Sequence, residues 1–296
     1  MGSRPRYLFP DGAQFGGDNL VLHARSRQHS VTGFTGPLSI KTVISGVVTW
    51  TVAGCDLSVD PASFAVLNAG ESYSMDINAT RAVETACVFF RDGFVEAHAL
   101  DATTPVQASL DAPDRNAPCL PFLSRLHSDL RGRIVRRVQT LARRCSAELQ
   151  PSSFEEDFLM LSVELLRLYA EIRAQMSRLP ALKSSTREEV FRRLQRAREY
   201  LHGNLDAPVS LEHTARAACL SRYHFHRAFT QTFGKTPHAY LTDLRLARAH
   251  GLLRSGQSVV EACAEVGFTS TSSFSRLFRS LYGVPPSTLR IRTGSR

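Results

Sequence analysis

Two stretches of the chain carry side chains whose types and spacing suit hydrogen bonding to a polyanion. They are residues 221–234, SRYHFHRAFTQTFG, and residues 267–283, GFTSTSSFSRLFRSLYG. Read as a helix, the first places Phe225, Ala228, Phe229 and Thr232 on one side and turns Arg222, Tyr223, His226 and Arg227 roughly 140° away. In the second, Phe274, Leu277, Phe278 and Leu281 form the packed side, which leaves Thr271, Ser272, Ser275 and Arg276 outward. Guanidinium forks and hydroxyls near a helix N-terminus donate to phosphate oxygens and to base edges, Arg being the best bidentate partner of guanine. His224 and His226 stand two residues apart and share no helix face, so they make no metal pair.

The elements that must position these groups are legible as a repeat. A constant offset of 49 pairs Phe225 with Phe274, Arg227 with Arg276, Phe229 with Phe278, Gly234 with Gly283 and Pro237 with Pro286; ahead of the turn the offset is 48, pairing Ala215 with Cys263. Each unit reads as a short helix with a small residue facing in, a tight turn, and a second helix ended by glycine, which is a helix-turn-helix pattern. Ser210, Ser221, Ser258, and Ser270 or Thr271 stand where helix caps are expected, and Pro237 opens a long central helix running to about Arg254. With an amphipathic helix over residues 186–202 in front, residues 184–296 are expected to form a seven-helix, all-α domain.

Charge agrees with that division. Residues 184–296 hold 17 Lys and Arg against 8 Asp and Glu, so the whole net charge of +9 lies there, and residues 1–183 are balanced at 19 against 19. A basic segment beside a neutral one is the electrostatic footprint expected of a nucleic-acid partner. A chain of 296 residues, 43% hydrophobic and 21% charged, is long enough for two cores and too apolar for wholesale disorder. Its six cysteines form no C-x-x-C pair or Cys/His cluster and read as small buried hydrophobes in a reducing compartment. No secretory leader pattern opens the chain, and the longest uncharged run, residues 42–55, is too short to span a membrane. No phosphate-binding glycine loop, nucleophile motif or paired carboxylates are found, so no enzyme activity and no cofactor are expected.

Upstream, residues 21–90 show short strand-like runs separated by turns at Gly46, AGCD, DPAS and NAGE, the pattern of a small barrel or sandwich. Residues 103–121, rich in Pro, Asp and Ala, read as a connecting loop. Helical patterns follow over residues 122–149 and 153–176, the second with an apolar stripe of Phe158, Leu161, Leu165, Leu168 and Ile172. That stripe needs a cover, supplied either by the same chain or by the matching helix of a second copy. Residues 177–185, with a proline and serines, read as the domain boundary, giving a β-rich domain at 1–121, a helical dimerisation and linker segment at 122–183, and the helical domain at 184–296.

The segments LEHTARAACLSRYHFHRAFTQTFGKTPHAYLTDLRLARAHGLL and VVEACAEVGFTSTSSFSRLFRSLYGVPPSTLR resemble the two helix-turn-helix units of AraC/XylS-type bacterial transcriptional regulators over about 105 residues. The resemblance implies two recognition helices in successive major-groove segments of double-stranded promoter DNA. The central helix fits: 18 residues span about 27 Å, near the ~34 Å of one DNA turn. In the second unit Cys263, Ser270 and Ser273 depart from the family's usual alanine, acidic residue and aromatic. The strand-rich start resembles, more weakly, the family's cupin-like sensor and dimerisation domain. Cupin enzymes hold a metal with an H-x-H motif, whereas this segment has only the separated His23, His29 and His98, so no metal site is expected. Trp50 and Tyr73 are candidates for lining an effector pocket, with core packing as the plainer role. The resemblance further implies RNA polymerase as a partner, a small-molecule effector, a homodimer, no membrane association and a place in the bacterial cytoplasm with the nucleoid. The competing reading is a cupin-barrel enzyme or small-molecule binding protein whose helical domain is an interaction module.

Overall fold

A computed structural model describes residues 6–8, 14–103, 120, 122, 125–129, 132–146, 154–180 and 183–289. The chain divides into two compact units, Met1–Gln175 and Met176–Arg296.

The first unit is an antiparallel sheet of eight strands curled into a near-closed barrel. The strands are β1 (Arg6–Leu8), β2 (Leu20–Thr35), β3 (Ser39–Ser45), β4 (Val48–Val52), β5 (Cys55–Val59), β6 (Ser63–Leu67), β7 (Ser72–Phe89) and β8 (Leu126–Ser128), in the order β1-β2-β7-β3-β6-β8, with β4 joining β7 to β5. The barrel was expected; its two long strands were not. β2 and β7 pair from Leu20↔Phe89 to Thr35↔Ser72, with register shifts at Ser26/Gln28 and Val31/Phe34. Such bulges bend a strand without ending it, which lets one 18-residue strand pair with β3 along one half and β4 along the other. Turns fall at the glycines read from the sequence, Gly46, Gly54 and Gly70, each at positive φ.

Two helical expectations are corrected here. Residues 126–128 are not helical: they extend the sheet by pairing with β6 from Ala65↔Leu126 to Ser63↔Ser128. The helix α2 starts only at Arg133 and runs to Ser146 (α1 being Phe94–Thr103). The reason is local. The Asp129 carboxylate accepts the backbone N–H groups of Arg133, Ile134 and Val135 at 2.8–2.9 Å, capping a helix that cannot begin earlier. The expected end at Leu149, like most of the connecting loop at 103–121, lies outside the described residues. The apolar side of α2, Ile134, Val138 and Leu141, is buried against the outer face of the sheet.

The helix α3, Glu155–Ser177, carries the apolar stripe. Phe158, Leu161, Leu165 and Ile172 are 5% exposed or less within the single chain, Leu168 is half-buried, and Phe158 meets Phe90 edge-on at 6.1 Å. Of the two covers open to this stripe, the chain itself supplies most of one, leaving only Leu168 partly uncovered.

The second unit holds, among its described residues, six α-helices and a closing 3-10 turn at Pro286–Leu289. They are α4 (Ser184–Gly203), α5 (Leu211–Ala217), α6 (Arg222–Phe233), α7 (Pro237–Arg254), α8 (Val259–Glu265) and α9 (Thr271–Tyr282). Seven helices were expected; among the described residues six are α-helices, and the remaining segment is the short 3-10 turn. Capping explains the breaks: Ser210, Ser221, Thr236, Ser258 and Ser270 each accept a backbone N–H three residues on, and Pro237 fills the first position of α7. Leu179, inside the segment read as a linker, is 3% exposed in this unit.

Candidate nucleic-acid interface

The repeat read from the sequence is kept by the elements themselves. α5 and α8 begin and end at an offset of 48, and α6 and α9 at an offset of 49. Both second helices end on a left-handed glycine, Gly234 at φ 70° and Gly283 at φ 76°. The phenylalanines form the cores. Phe225, Phe229, Phe274 and Phe278 are fully buried, with ring centroids 5.3 Å apart in the first pair and 5.6 Å in the second. Phe229 continues into Phe233 at 4.6 Å, and Phe278 into Tyr282 at 4.7 Å.

With the rings turned inward, the polar groups stand out. Arg222, Tyr223, His226 and Arg227 are exposed on α6, Tyr223 by 70%; Thr271, Ser272 and Arg276 are exposed on α9. Ser275 is half-buried instead, lying nearer the packed side than its wheel position indicated. Leu281, expected to pack, is 39% exposed, and Leu277 only partly covered.

The arginines divide by what they face. Arg192 and Arg193 pair with Glu189, Arg216 with Glu212, and Arg248 with Glu265. Arg222, Arg227 and Arg276 have no carboxylate within ion-pair distance among the described residues, so their guanidinium groups remain available. Ser270 also resolves a departure from the family pattern. Its hydroxyl accepts the Ser273 N–H at 3.3 Å, so the cap expected of an acidic residue is filled by a serine. Cys263, 2% exposed, fits the core place of Ala215.

The sequence did not reveal the joint between the two helix-turn-helix units. From α7, Arg245 donates through Nε to the Leu205 carbonyl at 2.8 Å and through Nη2 to that of Ala207 at 2.7 Å, holding the segment that leads into α5. Gly267, in the turn before α9, packs on the same segment so closely that a Cβ would lie 2.9 Å from the Leu205 and Asp206 carbonyl oxygens. Arg245 thereby ties the entry of the first unit to the turn of the second. The only sequence sign of it was an arginine on the inner side of a helix that otherwise buries leucine and alanine.

Among the described residues no group of three His, Cys, Asp or Glu is placed to hold a metal ion, and no helix is long and apolar enough to cross a membrane.

Comparison with known proteins bears on the same segment. A helix-turn-helix domain family matches residues 214–292. The chain is 34% identical over 95 residues to the HTH-type transcriptional regulator GbdR of Pseudomonas aeruginosa, covering 32% of this chain and 26% of that protein. It is 36% identical over 104 residues to the HTH-type transcriptional activator RhaS of Escherichia fergusonii, covering 35% and 37% respectively. A crystal structure of an AraC-type transcriptional regulator from Chromobacterium violaceum is 30% identical, covering 34% of this chain and 95% of that one at a TM-score of 0.32. The matches thus span well under half the length of the curated relatives. The matched residues are those of the two helix-turn-helix units and their joining helix, so residues 214–292 are a helix-turn-helix domain similar to those of AraC-type DNA-binding transcriptional regulators.

Proposed function

We propose that the chain regulates transcription by reading promoter DNA with α6 and α9 in successive major-groove segments. Arg222, Tyr223, His226 and Arg227 make the contacts of the first helix, and Thr271, Ser272, Ser275 and Arg276 those of the second. The observation that carries this reading is the pair of helices at a constant offset whose outward arginines face no carboxylate among the described residues. The central helix supports it, since its 18 residues give about 27 Å between the units, close to the ~34 Å repeat of the groove. Titrating the full chain against duplex DNA tests it. With about six to ten phosphate contacts, affinity should fall ~10³ to 10⁵-fold between about 50 and 200 mM salt. Binding that ignores salt, or no binding, overturns the reading.

The same reading makes RNA polymerase a partner on the promoter, places the chain in the bacterial cytoplasm, gives the barrel unit a small-molecule effector and pairs two copies on the operator. With the inner stripe of α3 mostly covered, pairing would use its outward row, Leu159, Val163, Leu166 and Ala170, at spacings of four, three and four. Leu159 is 39% exposed and its neighbour Met160 36%. Replacing Leu159 and Leu166 with Glu should leave a folded monomer by sedimentation; an unchanged dimer assigns the interface elsewhere.

A further inference from the structure

The barrel of the first unit encloses a cavity of about 150 Å³ walled by Phe34, Trp50, Met75, Ile77 and Phe89, with Lys41 at its side. Strand alternation sends that lysine inward. On β3, Ser39, Lys41 and Val43 share one face and Ile40 and Thr42 the other, and Val43 belongs to the barrel core. Lys41 is 1% exposed. Its Nζ donates to the Tyr73 hydroxyl at 3.1 Å and lies 3.7 Å from the centre of the Phe89 ring and 4.6 Å from that of Tyr73.

An ammonium has three donors, and only one is used here among the described residues. Among the described residues no carboxylate lies within ion-pair distance. Burial without a counter-ion disfavours the charge, and the Lys41 amine is pushed down to about 8, so it remains mostly protonated at neutral pH. Ring faces offset part of the lost hydration, but two N–H groups are left with no acceptor among the described residues. A methionine or leucine would fill this place at no such cost.

We propose that Lys41 anchors the carboxylate of a small monoanionic ligand whose apolar body, about one six-membered ring in size, fills the barrel cavity. The two carboxylate oxygens supply the missing acceptors and the missing charge, and the Tyr73 hydroxyl, held by the same Nζ, orients the ammonium. The size follows from the volume, since a dry cavity of ~150 Å³ takes a benzene ring. This deepens the effector reading of the barrel unit and rests on it.

Calorimetric titration of the full chain, with no DNA present, tests the assignment using benzoate and its neutral isostere benzamide. Benzoate is expected to bind at least about tenfold more tightly than benzamide, and Lys41→Met, folded by circular dichroism, should lose that preference while still admitting benzamide. Equal affinity for the two compounds, no benzoate binding, or a preference that survives in Lys41→Met, as surface arginines would give, overturns it. The benzoate and benzamide contrast on the unaltered chain decides the matter even where the variant does not fold. DNA affinity is measured separately with and without benzoate. A bound ligand that leaves it unchanged refutes the effector reading and not the site, and failure to bind DNA at all refutes the regulator reading alone.

Discussion

The first and second helix-turn-helix units share offsets, caps and a phenylalanine core, yet they solve the turn between their helices differently. The backbone enters the left-handed region at Cys219 (φ 51°) in one and at Gly267 (φ 74°) in the other, positions 48 apart. Cys219 is exposed, so its Cβ meets only the intrinsic cost of that conformation, whereas Gly267 is pressed against the Leu205 and Asp206 carbonyls and leaves no room for one. Their outward surfaces differ as well. Arg222, Tyr223, His226 and Arg227 present rings and a pair of cations; Thr271, Ser272 and Arg276 present hydroxyls and one cation. A duplicated frame has kept what packing requires and let the turn and the contact surface diverge. Backbone geometry and core volume tolerate few solutions, and an exposed side chain tolerates many.

The strongest way to break the equivalence is through the cores. Phe229→Ala and Phe278→Ala should each destabilise by about 3–5 kcal/mol, read from urea unfolding; a loss confined to one of them would mean that the two units do not share a single cooperative fold. Next come the turns. Gly267→Ala should cost about 2–3 kcal/mol, because strain at positive φ is added to a backbone clash, and a neutral result would mean that the close approach to Leu205 and Asp206 relaxes freely.

The two reading surfaces are separated by Arg227→Ala and Arg276→Ala. Each should weaken binding to a cognate site by about 1–3 kcal/mol and to random duplex by less. Equal losses on both DNAs, measured by fluorescence anisotropy, would make the arginines phosphate contacts. The opposite turn substitution, Cys219→Gly, should stabilise by about 0.5 kcal/mol, the relief of left-handed strain less the extra freedom of the unfolded chain; a loss of stability would show that the Cys219 side chain contributes packing of its own.

The smallest effect distinguishes the second unit by pH. His250 stacks on Tyr282 at 4.7 Å, and burial, then the nearby Arg254 charge, hold its imidazole below 6.5. The unfolded chain therefore takes up this proton first as pH falls. Stability from this group is complete above pH 6.5 and is lost as pH drops through the folded value. His250→Gln should flatten the fall in melting temperature between about pH 7 and 5; an unchanged slope would assign the acid sensitivity to other groups.

Local chemistry determined most of the second unit from the sequence alone. Serine caps, helix-ending glycines, a proline at the start of α7 and phenylalanines at helical spacing act within a few residues of themselves, so the repeat, its boundaries and its outward faces were all legible. Where such signals met distant partners, they did not suffice. Leu281, at the place of the buried Thr232, is exposed, and Ser275 is half-buried. The stripe on α3 gave its apolar face but not its cover, because periodicity is the same whether the partner is a neighbouring element or a second chain. Residues 126–128 had helical periodicity until the edge of β6 offered them a ladder. Lys41 was invisible as a site, since one lysine in a strand ordinarily faces water and only the register of β3 in the closed barrel turns it inward. Nor did the sequence show the hold of Arg245 and Gly267 on one short segment, because their residues lie 38 to 62 positions from it and only the folded chain brings them together.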